Sequence, residues 1–275
     1  KTHISLIIAD RDFLQELNLV GHNEQLGGLM STFFIGYGIA IFLWGFLVDR
    51  FGPRACAMAG TVCWAAVLFL SSRVGGIHEY LWIRLLLGMA EGNLWPVCNA
   101  LTNRWFPMRE HSRIQAFWVT GSTLGTAIGV PVVTALMLAA GWRGALASLA
   151  VVSLLPLVFF LSLTNTPSEN RKVSPGELQE IEQGRKLTGG AMPLSFRELF
   201  RSAPFWIIAA CQVVSATIIY TLVQWIPSYV TRLRQLPFPE MARWLTVGYV
   251  IATVLTLLVG AIADRTMQRS VLMAR

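Results

Sequence analysis

The sequence predicts an all-α, polytopic membrane protein, and three observations carry that reading. Of the 275 residues 54% are hydrophobic and only 13% charged, against roughly 45–50% and about 25% in an average soluble domain. Mean hydropathy is +0.55. Apolar, charge-free runs also recur along the chain, each long enough to cross the roughly 30 Å of hydrocarbon that about 20 helical residues span. In lipid the backbone must satisfy its own hydrogen bonds, so these runs read as helices. The 15 Phe, 10 Trp and 5 Tyr suit a bundle with interfacial aromatic rings and exclude a disordered chain.

Taken in order, the chain opens on Lys1-Thr2-His3-Ile4-Ser5-Leu6-Ile7-Ile8-Ala9. This reads as the second half of a span and not as a signal peptide, having neither an initiator Met nor a small-residue cleavage site. Charge-free spans follow at 25–48, 55–72, 114–142, 144–168, 202–231 and 244–263. A further apolar span at 80–107 is interrupted by Arg84, Glu91 and Arg104, which brings the complete spans to seven. The division expected is a six-helix transmembrane bundle over 1–164, a polar interbundle loop over 165–202, and the first two helices of a second bundle over 203–275. Within the loop, Ser174-Pro175-Gly176-Glu177 has the form of a capping box with Pro at the first helical position, which predicts a helix over 175–186. Residues 195–202 read as an interfacial helix entering the next span.

The net charge of +7 comes from 22 Lys and Arg against 15 Asp and Glu. These cations sit in the short gaps between spans, which is the pattern of topology-setting loops and excludes a nucleic-acid patch. Arg50, Arg54, Arg104, Arg109, Arg113 and the cations of the long loop fall on one side. Only Arg11, Arg73, Arg143, Arg232, Arg234 and Arg243 fall on the other, so the richer side, with the N-terminus and the central loop, is expected in the cytoplasm. Cys56, Cys63, Cys98 and Cys211 lie inside apolar stretches without a Cys-x-x-Cys pair or a His cluster, and read as buried hydrophobes.

An internal repeat narrows the function. Gly45-Phe46-Leu47-Val48-Asp49-Arg50-Phe51-Gly52-Pro53-Arg54 closes the second span, and Gly260-Ala261-Ile262-Ala263-Asp264-Arg265 closes the eighth. Both place Gly four residues before Asp-Arg at corresponding ends of the second span in each half, as a two-bundle transporter would. Here the chain resembles the major facilitator superfamily, whose signature loop is matched by Gly45, Asp49, Arg50, Gly52 and Arg54. More narrowly it resembles the anion:cation symporter family, through Arg84-Leu85-Leu86-Leu87-Gly88-Met89-Ala90-Glu91-Gly92 with Pro96, Trp105-Phe106-Pro107, Gly141-Trp142-Arg143 and Trp225-Ile226-Pro227-Ser228-Tyr229. The chain departs from that family's usual Gln and Pro at Ile41 and Leu43. The resemblance implies a major facilitator fold of twelve helices in two bundles, of which this chain would supply about seven and a half. It would then be truncated inside the first helix and again after the eighth.

Arg84 and Glu91 are the most informative ionisable pair. Seven residues apart is about two helical turns, so both project from one face. A charge at mid-span costs at least about 2.5 kcal/mol on insertion scales, so such residues face a cavity or a partner. A carboxylate carried into hydrocarbon is easily held as the neutral acid, which makes Glu91 a candidate to load and release a proton. The resemblance implies the same role, with Arg84 reading the substrate anion; the alternative for Arg84 is snorkelling to the headgroups. By the same resemblance Lys1 stands where the family's first helix carries a basic residue, with His3 matching an Asn, and Tyr37 stands where a Tyr lines the cavity. Tyr220, Gln224 and Trp225 would form the opposite wall; core packing is the alternative for these aromatics. Each Asp-Arg loop would latch one bundle to the other, with Asp264 or Arg265 near Glu110–Arg113.

Gly121, Gly125 and Gly129 with Pro131 make a small-residue stripe on the fifth span that lets helices approach closely. The adjacent Gly-Pro of drug antiporters is lacking, because Val130 separates Gly129 from Pro131. There is no Gly-x-Ser-x-Gly elbow, Walker loop or metal-spaced His cluster, so neither an enzyme nor a cofactor or metal is expected. The expected protein is a monomeric proton-coupled symporter of a small organic anion, a sugar acid or other carboxylate, in a bacterial inner membrane. Its partners are the anion, the proton and the lipid bilayer, with no nucleic acid. A proton-coupled exporter or antiporter, or a ligand sensor of the same fold, is the alternative.

Overall fold

A computed structural model describes residues 2–107, 110–188 and 196–273, and Lys1 lies outside them. Among the described residues the chain is helix and connecting turn, without strands. The opening segment is α1 (Thr2–Ile7), followed by a short α2 (Arg11–Glu16). Then come α3 (Asn23–Phe51) and α4 (Pro53–Ser71), separated by Gly52 alone. Gly52 has φ +84 and ψ 159, a conformation open essentially to glycine, and Pro53 starts α4 with its φ already set for a helix.

The interrupted span is two helices, α5 (Ile77–Glu91) and α6 (Leu94–Trp105). The break at Gly92–Asn93 has a covalent cause, since Pro96 has no N–H to give the carbonyl four residues earlier. The next two spans run together as α7 (His111–Val152), which turns at Gly141, where φ is +66. After Ser153–Leu155 the last turns of the sixth span form α8 (Pro156–Ser162). Beyond a single 3-10 turn at Pro167–Glu169 lies α9 (Pro175–Thr188), whose start has the reciprocal capping bonds: Ser174 N–H donates to Glu177 Oε2 at 3.1 Å and Glu177 N–H to Ser174 Oγ at 3.2 Å. Then follow α10 (Phe196–Arg201), α11 (Ala203–Arg232) and α12 (Phe238–Met273). Four stretches, Asn23–Phe51, Pro53–Ser71, Arg113–Ser162 and Ala203–Arg232, are long and apolar enough to cross a membrane. This is a polytopic helical membrane protein.

The tightest pairing is α3 on α5. Glycine sets it: a Cβ at Gly36 would collide with the Leu85 carbonyl, and one at Gly88 with the Phe33 carbonyl. The Trp44 indole N–H fastens the same pair by donating to Met89 O at 2.9 Å. The stripe at Gly121, Gly125 and Gly129 does not have that role among the described residues, where nothing lies within 4 Å of a Cβ built at any of the three. Close approach needs backbone opposite the glycine, and here it is Gly36 and Gly88 that have it.

The two ends of the bundle are tied by side chains. At the end carrying Asp49, Arg54 donates its backbone N–H to Asn165 Oδ1 at 3.1 Å and Nη2 to Leu161 O at 2.8 Å, joining the signature loop to the end of α8. At the opposite end Arg143 reaches Glu16 Oε1 through Nη2 at 2.8 Å, Ser72 O through Nη1 at 2.9 Å and Val74 O through Nη2 at 2.7 Å. Trp142 adds a bond from Nε1 to Glu16 Oε2 at 2.8 Å and packs edge-on against Phe13. The φ of Gly141 is what presents Trp142 and Arg143 together to this junction.

Candidate functional site

Arg84 lies about two turns into α5 and is wholly buried, so its side chain does not snorkel. Nε donates to Leu29 O at 3.1 Å, and the guanidinium carbon stands 4.6 Å from the centre of the Phe33 ring. Nη1 and Nη2 have no hydrogen-bond partner among the described residues. A cation taken out of water with two donors unfilled is strongly disfavoured unless an anion or another state of the molecule completes it. The cation–π contact offsets part of that penalty, by about 2 kcal/mol when desolvated.

Below Arg84 on the same face, Phe33 stacks on Tyr37 with ring centres 5.9 Å apart, and Tyr37 is buried. Its phenol interacts with the Trp95 side chain. Glu91 ends α5 at the break before α6 and is half-buried. It lies within electrostatic reach of Arg84, Tyr37 and Tyr220. The fold thus brings Arg84, Glu91 and Tyr37 near one another on α5 and α3, but none of the three lines the cleft between α3 and α11.

The opposite wall is α11. A cleft of about 420 Å³ runs between α3 and α11, lined among others by Met30, Ser31, Phe34, Tyr220, Gln224 and Trp225. Phe34 and Tyr220 meet across it with ring centres 4.9 Å apart. Gln224 is 3% exposed, and neither of its amide atoms has a hydrogen-bond partner among the described residues. One turn on, the buried Ser228 hydroxyl likewise has no partner among the described residues. Sequence reading has Ser228 only as part of the Trp225–Tyr229 family segment and gives it no place in the site, because its burial beside Gln224 is not visible in the sequence. Phe33 was missed for the same reason, being one apolar residue among many.

Arg84 does not line the cleft; Phe33 and the α3 backbone stand over it. The cleft lining mixes apolar residues with the polar Ser31, Thr217, Tyr220, Thr221 and Gln224, while the guanidinium is packed against Phe33 and Leu29 of α3.

Of the signature loop, Gly52 and Arg54 are packed against Asn165 and Leu161, while Asp49 and Arg50 are exposed and Gly45 is half-buried with open space beside it. Gly260, Asp264 and Arg265 fall on α12, but their side-chain surroundings lie outside the described residues, and so does the expected approach of Asp264 or Arg265 to Glu110–Arg113.

Compared with known proteins, residues 6–275 match the family model described as Major Facilitator Superfamily. The chain is 27% identical over 272 residues to a probable sulfoacetate transporter of Cupriavidus necator, covering 97% of this chain and 62% of that protein. It is 31% identical over 209 residues to a probable L-galactonate transporter of Escherichia coli, covering 74% of this chain and 44% of that protein. With the hexuronate transporter of Bacillus subtilis it is 27% identical over 268 residues, covering 96% and 62%. The chain therefore spans about half to three-fifths of the length of these relatives.

Proposed function

The chain belongs to the major facilitator superfamily, and from that premise we propose that it is a secondary active transporter which carries a small organic anion together with protons by alternating access. The observation that carries the anion is Arg84, a fully buried guanidinium whose two Nη groups have no hydrogen-bond partner among the described residues, on the span that also holds Glu91. An intramembrane cation of this kind suits a carboxylate or sulfonate, because charge-assisted bonds to an anion would complete it. The names of the relatives, a probable sulfoacetate transporter, a probable L-galactonate transporter and a hexuronate transporter, support the same class. A sugar acid is the substrate the cleft favours. Its uncharged lining, with Ser31, Thr217, Tyr220, Thr221 and Gln224, offers several hydroxyl and amide partners for a polyol chain.

Glu91 carries the proton in this mechanism. At the break between α5 and α6, a neutral acid and an ionised carboxylate interact differently with Arg84, Tyr37 and Tyr220, so protonation couples to which arrangement of α3 and α5 is preferred. Lys1 would add a second cation. The Asp49–Arg54 loop and its counterpart at Gly260, Asp264 and Arg265 gate the cytoplasmic end, the membrane being the bacterial plasma membrane. The protein works as a monomer.

The test is uptake of labelled hexuronate or galactonate under an imposed pH gradient, comparing wild type with Glu91→Gln. The variant is expected to bind and exchange substrate but to lose accumulation driven by the gradient. Unchanged gradient-driven uptake in Glu91→Gln would remove Glu91 from the coupling step.

A further inference from the structure

Arg232 is the last residue of α11, and it joins three elements that belong to different parts of the bundle. Nη2 donates to Ile8 O at 2.7 Å, the carbonyl just past the end of α1, and Nη1 donates to Asn23 Oδ1 at 3.3 Å, at the start of α3. Among the described residues the buried positions of α11 are Gln224, Pro227 and Ser228, all in its last nine residues, and Tyr220 one turn before them meets Phe34 of α3. Farther along, Ile207, Ile208, Val213, Val214, Ile218 and Ile219 are all more than half exposed. Among the described residues, α11 packs on α1, Arg232 adds one bond to the start of α3, and the cleft lies just inside that closure.

The chemistry of the closure also matters. No described carboxylate pairs with Arg232; its acceptors are a backbone carbonyl and a neutral amide. The carbonyl sits at the C-terminal, negative end of α1, where a cation is favoured. Bonds of this kind hold two helices together without the desolvation barrier of a buried ion pair, so they form and break within a cycle. We infer that Arg232 is the latch of the end opposite the Asp49 loop: its bonds to Ile8 and Asn23 exist only while that end is closed, and must be released before the cleft opens there. This rests on the alternating-access reading above, and it assigns a positioning residue, one that acts through α1 and α3 and does not touch substrate.

The test uses site-directed labelling. With Cys56, Cys63, Cys98 and Cys211 replaced by Ser, Thr221→Cys places one thiol on the cleft wall, and an impermeant maleimide is applied to membrane vesicles of each orientation. Arg232→Gln is expected to raise labelling from the side of Arg143 roughly tenfold, the population shift that follows when about two hydrogen bonds made in only one of two states are lost. Asn23→Ala, which removes one bond, should give a smaller rise in the same direction. Equal labelling in all three proteins would overturn the latch. If Arg232→Gln does not fold, Asp10→Cys with Thr231→Cys, which line one pocket beside the closure and leave Arg232 in place, joined by a reducible bifunctional cross-linker, takes its place. Labelling of a transport-silent protein still decides the latch, so its failure is distinct from failure of the transport reading. For an active protein, uptake should stop on cross-linking and return with reductant; uptake that survives complete cross-linking would also overturn the assignment.

Discussion

Two glycines on α3, two residues apart, separate the effect of packing from that of helix propensity. At Gly36 an added Cβ would collide with the Leu85 carbonyl of α5 and stand 3.1 Å from its carbonyl carbon, while at Gly38 it would meet nothing within 4 Å. Gly→Ala relieves backbone entropy at both positions, by about 0.5–1 kcal/mol. At Gly36 the obstacle is main chain, which no rotamer change removes, so α3 and α5 must move apart. Overpacking of this kind costs about 1–3 kcal/mol. The expected difference in stability between Gly36→Ala and Gly38→Ala is thus about 1–3 kcal/mol. At roughly 2–4 °C per kcal/mol for a chain of this size, Gly36→Ala should melt about 2–12 °C below Gly38→Ala in the same detergent. Because the displaced α3 carries Phe33 against Arg84, Gly36→Ala should also lose uptake, while Gly38→Ala keeps it. Equal melting temperatures, or a higher one for Gly36→Ala, would refute the claim that glycine sets the α3–α5 spacing.

Two further outcomes follow from the helix ends. Gly52→Ala places a side chain at φ +84 and against the Asn165 amide; strain of this kind is worth about 1–3 kcal/mol, and a thermal melt should show the loss, whereas an unshifted melt would mean the α3–α4 turn relaxes freely. Hydrogen bonds from Arg143 above all, then from Trp142, hold the Glu16 carboxyl below its ordinary value of 4.5. A lowered carboxylate contributes stability that is present above the unfolded value and lost as pH falls through the folded one. Melting temperature should therefore drop as pH falls below about 4.5, with a shallower drop in Glu16→Gln; identical acid profiles would show that the junction does not depend on this charge.

The helices and the family were legible in the sequence because lipid leaves so few options. A charge-free run must be a helix, and Arg84 and Glu91 stood out because ionisable groups are rare there. What was not legible is which helix face meets which neighbour. The Gly121–Gly129 stripe looks like a packing face as text and Gly36 and Gly88 do not, yet it is the latter two that lie against the Leu85 and Phe33 carbonyls. In the same way Gly141-Trp142-Arg143 reads as a family mark, while its physical content is a contact with Glu16, 127 residues earlier, together with carbonyls at Ser72 and Val74.

These ties share a logic that bears on mechanism. Arg54, Arg143 and Arg232 each stand at a helix end or turn, and each donates to main-chain carbonyls of another segment. A carbonyl at a helix end has lost its intrahelical partner, and an arginine supplies several donors from one side chain, so one residue closes two or three loose ends at once. Arg54 and Arg143 join segments of the first six spans to one another, whereas Arg232 alone of the three joins α11 to them. A transporter that rocks two bundles needs the first kind of tie to persist and the second kind to break. Exchanging Arg143 should therefore lower stability at fixed sidedness of labelling, and exchanging Arg232 should alter sidedness at nearly fixed stability. The reverse pattern in the two variants would show that the division between bundles lies elsewhere in the chain.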